Sequence, residues 1–231
     1  MEAKDNIAAP LTARKMSKTA IAETVGRIAR MLKIDHVLGH KPKELSNGQK
    51  QRTALGRALA GEPDILLLDD PLRNVDAKLR FEMRLELPRL LKDQMATVVY
   101  VTQDYKEAMA LGDRIAVMNA RGIEQIGSPT DIYLAPANIG IARLFGDPVI
   151  NLLDVRPADV DGGVHISLSG VSVAIDNGYR VAIGRDCTIG IRPEAIQFVK
   201  RGTANAIPVN VETETPLNEK TVTRAPTQTG R

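Results

Sequence analysis

Between Leu45 and Asp76 the chain reads LSNGQKQRTALGRALAGEPDILLLDDPLRNVD, and few folds accommodate that order of features. A polar Ser-Asn-Gly-Gln turn opens a helix, and Gly61-Glu62-Pro63-Asp64 stops it. Ile65 to Leu68 form an unbroken aliphatic run, closed by two carboxylates, Asp69 and Asp70, and by Pro71, which cannot extend a strand. A short aliphatic run between breakers suits a strand buried on both faces of a parallel α/β sheet. Carboxylates at the C-terminal end of such a strand stand where open α/β sheets bind ligands. Asp69 is placed to hold Mg²⁺, directly or through water, and Asp70 to orient an attacking water. Ser46, Asn47 and Gly48 offer a hydroxyl, an amide and free backbone N–H groups at a helix N-terminus, an arrangement suited to phosphate. Read without its neighbours, the turn is only an N-capped helix containing a glycine.

Together these residues resemble the ABC ATPase family. Leu45-Ser46-Asn47-Gly48-Gln49 is similar to its signature motif, usually LSGGQ; Ile65 to Asp70 is similar to Walker B, usually four apolar residues and Asp-Glu. Asn74-Val75-Asp76 resembles the loop with a central Asp that follows, and all three stand in the family's order and spacing. The resemblance implies that Asp69 serves Mg²⁺, Asp70 the attacking water and Asp76 a dimer interface. Ser46, Asn47, Gly48 and Gln49 would grip an ATP bound mainly by the opposite subunit.

Composition narrows the alternatives. The 231 residues suit one large or two small domains, and a 43% hydrophobic fraction can supply a core. Aromatics are only 3%, with no Trp, so packing must be aliphatic, and little is available for stacking on bases. The formal charge of +3 is small for this length, so no nucleic-acid partner is expected. Cys187 stands alone, which rules out an intrachain disulfide and fits a reducing cytoplasm. No apolar run approaches ~18 residues, and MEAKDNIAAP lacks an apolar signal-peptide core. Membrane association would have to come through a partner.

Taken in order, Met1 to Lys15 is short and mixed; Asp5 to Leu11 resembles the family segment just after its glutamine-bearing loop. Ser17 caps a predicted helix from about Lys18 to Lys33, with Ile21, Val25, Ile28 and Leu32 on one face. That helix would belong to the family's helical subdomain. His36 and His40 read as ordinary loop residues. The signature helix is expected over Asn47–Ala60, with Leu55 and Leu59 inward and Lys50, Arg52 and Arg57 solvated or phosphate-side. A long amphipathic helix should run from Asp76 to about Gln94, burying Phe81, Leu85 and the Leu87/Leu90/Leu91 group, and Pro88 should kink or split it. Thr97 to Val101 reads as the next strand. It ends at Thr102-Gln103-Asp104, where the family has Thr-His-Asp and the His contacts the γ-phosphate, a role the resemblance passes to Gln103. A short helix over Tyr105–Leu111, a strand over Arg114–Met118 and a turn at Asn119–Gly122 into Ile123–Ile126 follow.

Composition shifts near Gly146-Asp147-Pro148. Beyond it, Val164–Leu168, Val171–Ile175, Val181–Ile183, Thr188–Ile191 and Ala195–Val199 are short runs separated by turn residues, the pattern of a small β-barrel. Gly190-Ile191-Arg192-Pro193-Glu194 resembles a motif of the OB-like regulatory domain of sugar-importing ABC ATPases. The tail from Arg201 reads as a truncated barrel with a frayed end.

The expected fold is therefore α/β: an incomplete P-loop NTPase (ABC ATPase) parallel sheet with a helical subdomain over residues 1–148, then a partial OB-like β-barrel over 149–231. The resemblance implies an ATP-binding subunit of an importer for carbohydrate, polyol or glycerol-phosphate-like solutes. Its cofactors would be ATP and Mg²⁺. Its partners would be ABC permease membrane subunits, a second ABC ATPase subunit in a homo- or heterodimer and, indirectly, a periplasmic solute-binding protein. It would lie peripherally on the cytoplasmic face of the plasma membrane. The alternative is a degenerate ABC-type regulatory or nucleic-acid-binding module.

The family's phosphate loop, Gly-x-x-x-x-Gly-Lys-Ser/Thr, has no counterpart, since the dipeptide Gly-Lys occurs nowhere in these residues. This polypeptide alone is thus expected to bind MgATP weakly. The loop's strand would lie between the Val98–Val101 and Arg114–Met118 strands, so those two must either close up or leave edges open. Asp70 also replaces the usual Glu, drawing the carboxylate back by roughly 1.5 Å, and about 1 Å of misplacement can cost roughly 100-fold in rate. Gln103 cannot carry charge, and Asn47 and Arg73 replace the usual Gly and Ser. These departures favour a heterodimer in which Ser46–Gln49 complete a fully equipped partner's site.

Overall fold

A computed structural model describes residues 1–93, 96–200, 202–217 and 220–224. The chain divides by contact into two units, Met1–Ala135 and Pro136–Arg231.

The first unit begins with a helix that the mixed composition of Met1–Lys15 concealed: α1, Ala3–Ala13. Ala3, Ile7 and Leu11, one turn apart, are its buried stripe. Next comes α2, Lys18–Met31, whose N-cap Ser17 accepts the Ala20 N–H at 3.2 Å, as expected. The signature helix, α3, spans Asn47–Ala60. It packs tightly on α2, because a Cβ at Gly56 would lie 3.1 Å from Leu32 and 3.2 Å from Ile28. Any side chain at position 56 would require Leu32 and Ile28 to give way by a few tenths of an ångström. Strand β1, Ile65–Asp69, pairs in parallel with β2, Thr97–Val101, and α4, Ala77–Asp93, connects them. Leu66 and Leu68 of β1 join Ile7, Leu11, Ile28, Leu32, Leu55, Leu59, Met83 and Leu87 in one core. Each such side chain taken from water contributes about 1.5–3 kcal/mol.

Several expectations fail here for identifiable reasons. Strand β1 is not buried on both faces: Ile65 and Leu67 are 64% and 72% exposed. Helices cover one face of the pair and nothing among the described residues covers the other. On α4 the buried stripe is Leu79, Met83 and Leu87, while Phe81 and Leu85 face outward at 60% and 57% exposed. Leu91 is half-buried against the core, as expected. Pro88 does not split the helix, which is continuous through it. The expected end at Gln94 lies outside the described residues.

After β2 come α5, Tyr105–Leu111, and the hairpin β3, Ile115–Asn119, with β4, Gly122–Gly127. Gly122 turns that hairpin with a φ of +125°, open to glycine and strained for other residues. Strands β2 and β3 belong to separate sheets, so they do not close up. Helix α6, Pro129–Leu134, completes the unit.

The second unit holds α7, Ile139–Leu144, and then β5, Asn151–Val155, and β6, Ala158–Val160, both unforeseen. Strands β7, Gly163–Leu168, β8, Val171–Ile175, and β9, Cys187–Ile191, match their predicted runs within a residue. The runs Val181–Ile183 and Ala195–Val199 are not strands. Asn177–Ala182 and Pro193–Ala195 form 3-10 turns instead, favoured by Asn-Gly and by Pro at the first turn position. Pairing gives two separate antiparallel sheets, β5–β9 and β6–β7–β8, and no closed barrel among the described residues. Val155, Ile166 and Leu168 are the buried centre. A further hairpin joins β10, Thr213–Leu217, to β11, Lys220–Arg224. The end read as frayed, 225–231, lies outside the described residues.

Candidate functional site

Parallel pairing decides where the chemistry-bearing residues meet. Asp69 sits opposite Val101 in the register, so both strands end at one level. The residues leaving them, Asp70 on one side and Thr102 and Gln103 on the other, therefore share one end of the sheet. Asp69, Asp70 and Gln103 line an open cleft of about 230 Å³ with Gln51, Arg73, Val101 and Thr102.

The backbone holds Asp70 firmly. Its N–H donates to the Val101 carbonyl at 2.8 Å and its carbonyl accepts from the Arg73 N–H at 3.2 Å. Its φ is +44°, a left-handed conformation that Asp tolerates better than most residues. The Arg73 guanidinium lies 4.0 Å from the Asp70 carboxylate.

The loop bearing Gln103 is clamped from two directions. Glu107, 2% exposed, accepts from the Tyr100 hydroxyl at 2.9 Å and the Thr102 hydroxyl at 3.0 Å. Thr102 Oγ1 in turn accepts the Asp104 N–H at 3.0 Å. Arg84 of α4 is hydrogen-bonded to the Asp104 carboxylate, with Arg80 3.9 Å away. Burial, and then the Glu107 carboxylate, push the Tyr100 hydroxyl well above the usual phenol range.

The signature residues stand beside this cleft, not in it. Ser46 and Gln49 form a capping box: the Ser46 N–H donates to Gln49 Oε1 at 2.9 Å, and the Gln49 N–H donates to Ser46 Oγ at 3.2 Å. Ser46 and Asn47 are exposed. Gly48 touches the loop after β1, for a Cβ there would come within 2.7 Å of the Asn74 carbonyl oxygen. Asp76 accepts the Leu79 N–H at 3.0 Å and so caps α4. Arg52, expected to be solvated or phosphate-side, instead donates to the carbonyls of Leu32 at 2.9 Å and Lys33 at 3.0 Å. It ties α3 to the end of α2, and its burial lowers its pKa.

Sequence reasoning missed Gln51 and Glu107 as parts of this end of the sheet. A signal for Gln51 did exist: four residues after Asn47, it lies on the same side of α3. Arg192, in the Gly-Ile-Arg-Pro-Glu motif, hydrogen-bonds the carbonyls of Ala142, at 3.1 Å, and Phe145. There it closes the end of α7.

The donor set suits a hard cation. Asp69 and Asp70 are adjacent carboxylates at an open cleft, matching Mg²⁺, which keeps several waters and takes one or two protein carboxylates besides phosphate. Among the described residues no group of three or more His, Cys, Asp or Glu could hold a metal alone. The fit is thus to a cation shared with a phosphate ligand. Among the described residues the cleft lining contains no Lys and no glycine-rich loop.

Residues 1–73 match the ABC transporter family. More narrowly, the chain is similar to importer ATP-binding subunits of the glycerol-phosphate type. The sn-glycerol-3-phosphate import ATP-binding protein UgpC of Escherichia coli O6:K15:H31 (strain 536 / UPEC) is 44% identical over 214 residues, 92% of this chain and 59% of that protein. UgpC of Escherichia coli strain K12 and of Shigella boydii serotype 4 (strain Sb227) are each 45% identical over 197 residues, 85% of this chain and 55% of theirs. The chain thus spans 55–59% of the length of these curated relatives.

Proposed function

We propose that the chain forms part of the ATP-binding, energy-coupling subunit of an ABC importer for glycerol-phosphate, polyol or carbohydrate solutes. The observation that carries this reading is the position of two motifs. Ser46 and Asn47 of the turn are exposed, and the Asp69–Asp70 strand end opens on a cleft that Gln51 of the same helix also lines. An exposed turn of this kind is free to complete a neighbour's nucleotide site while Asp69, Asp70 and Gln103 serve the chain's own.

In this reading Asp69 holds Mg²⁺ with water and phosphate, Asp70 orients the attacking water, and Gln103 donates to the terminal phosphate. Asp76 lies at the interface between ATPase subunits, and a second ATPase subunit, in a heterodimer, supplies the complementary half-site. Bound ATP brings to the cleft the phosphoryl group whose hydrolysis drives transport. Permease subunits hold the assembly at the inner face of the membrane, and a solute-binding protein acts through them. Among the described residues no helix is long and apolar enough to cross a membrane. The second unit, read as 149–231, serves as part of an OB-like regulatory domain.

The test is affinity purification of the tagged chain from membranes gently solubilised in detergent. Expected is co-purification of integral membrane permeases and a second ATPase, and loss of glycerol-phosphate uptake when the gene is deleted. Recovery on DNA in a salt-sensitive manner, with no permease and no uptake defect, would overturn the reading.

A further inference from the structure

We propose that Gln51 is a positioning residue that couples the Ser46–Gln49 turn to the Asp70 carboxylate. The proposal deepens the function just given and rests on its assignment of those two groups.

Three observations converge on this side chain. Gln51 Nε2 donates to the Asp70 carbonyl at 2.8 Å. The Asn74 N–H donates to Gln51 Oε1 at 3.2 Å. One amide thus spans the loop leaving β1 at both of its ends, and only one orientation of that amide satisfies both bonds. Immediately beside it, the closeness of Gly48 to the Asn74 carbonyl brings the α3 N-terminus into backbone contact with the same loop. The turn, Gln51 and residues 70–74 are therefore one packed junction.

The chemistry requires glutamine. Glutamate keeps an acceptor for Asn74 and loses the donor for Asp70; leucine loses both; lysine has no acceptor. The consequence concerns Asp70. Its N–H is fixed by Val101 of β2, and its carbonyl is fixed by α3 through Gln51. With both sides of its peptide held, its side-chain direction follows the placement of α3. A ligand that grips the Ser46–Gln49 turn moves the α3 N-terminus and, through Gln51, reorients the carboxylate. The half-site offered to a neighbour and the half-site kept by the chain are joined by this one side chain.

The experiment uses the full 231-residue chain, labelled with ¹⁵N, and needs neither nucleotide nor permease. In Gln51→Leu, exchange of the Asn74 amide proton should quicken roughly fivefold, the loss of one ordinary hydrogen bond. In Gln51→Glu, which retains the acceptor, Asn74 protection should persist. Ser46→Ala loosens the capping box and should shift the amide resonances of Asp70 and Asn74 in the parent chain. The Asp70 shift should vanish in the Ser46→Ala/Gln51→Leu double variant, a dependence that simple loss of stability does not produce. Unchanged Asn74 exchange in Gln51→Leu, or an Asp70 shift on Ser46→Ala that survives there, would overturn the proposal. Should Gln51→Leu fail to fold, Gln51→Glu alone decides: Ser46→Ala must then perturb Asn74 but no longer Asp70. Failure to capture permeases would refute the transport reading and leave this result standing.

Discussion

At the scale of single residues, Tyr100 shows how the loop carrying Gln103 is tied to the core. Its hydroxyl donates to the buried Glu107, and burial followed by that carboxylate raises its pKa. The native state therefore keeps a proton that an unfolded tyrosine, titrating near ~10, gives up. A raised pKa contributes stability that is fully present below the unfolded value and lost as pH climbs toward the folded one. We predict that Tyr100 resists ionisation at a pH of about 11, so that Tyr100→Phe leaves the tyrosinate absorbance of the folded chain at that pH unchanged. Tyr100→Phe should cost about 1 kcal/mol at neutral pH in urea unfolding, and its deficit against the parent should shrink above pH ~10. The same scale shows what sequence could tell. Asp69, Asp70 and Gln103 were legible as neighbours because each ends a parallel strand or follows one within two residues, and parallel pairing alone brings such ends together. Gln51 and Arg52 were not, because their partners are backbone carbonyls and an N–H some twenty residues away. No side-chain pattern announces a backbone partner.

At the scale of elements, α4 carries two apolar stripes, Leu79/Met83/Leu87 and Phe81/Leu85, and both have helical spacing. Sequence alone cannot choose between them, since the choice depends on where the preceding loop aims the helix. That loop is fixed by the Asp76 cap and by Arg80, which donates to the carbonyls of Arg73 at 3.2 Å and Val75 at 3.0 Å. These bonds rotate the first stripe inward. Leu87→Ala should therefore destabilise the chain by about 2–5 kcal/mol, while Leu85→Ala, at an exposed site, should stay within about 0.5 kcal/mol. Paired urea titrations measure both. A larger loss in Leu85→Ala than in Leu87→Ala would mean that the stripes are assigned the wrong way round. Strand β1 was legible as an element and misread in its burial for a related reason. A run of four aliphatics fits a strand covered on one face as well as one covered on two, and only the surrounding layers decide.

At the scale of the molecule, the uncovered face of the β1–β2 pair matters most. Parallel strands are found almost only with both faces covered, yet Ile65, Leu67, Val99 and Val101 stand in register on one open face, each more than half exposed. Their apolar area is adjacent and not scattered, which is the condition for association and not merely for an ordinary surface. Among the described residues no further strand pairs with either outer edge of β1–β2, and open edges also favour association. We predict that the chain associates with increasing concentration and that Leu67→Lys with Val99→Lys suppresses this. Because both side chains are exposed, the double variant should lose less than about 1 kcal/mol of stability. Sedimentation velocity over a hundredfold concentration range, alongside urea unfolding, separates the two effects. Association unchanged by the lysines would place the sticky surface elsewhere. A large loss of stability would mean instead that these side chains are packed in solution, and that the sheet's second face is already covered.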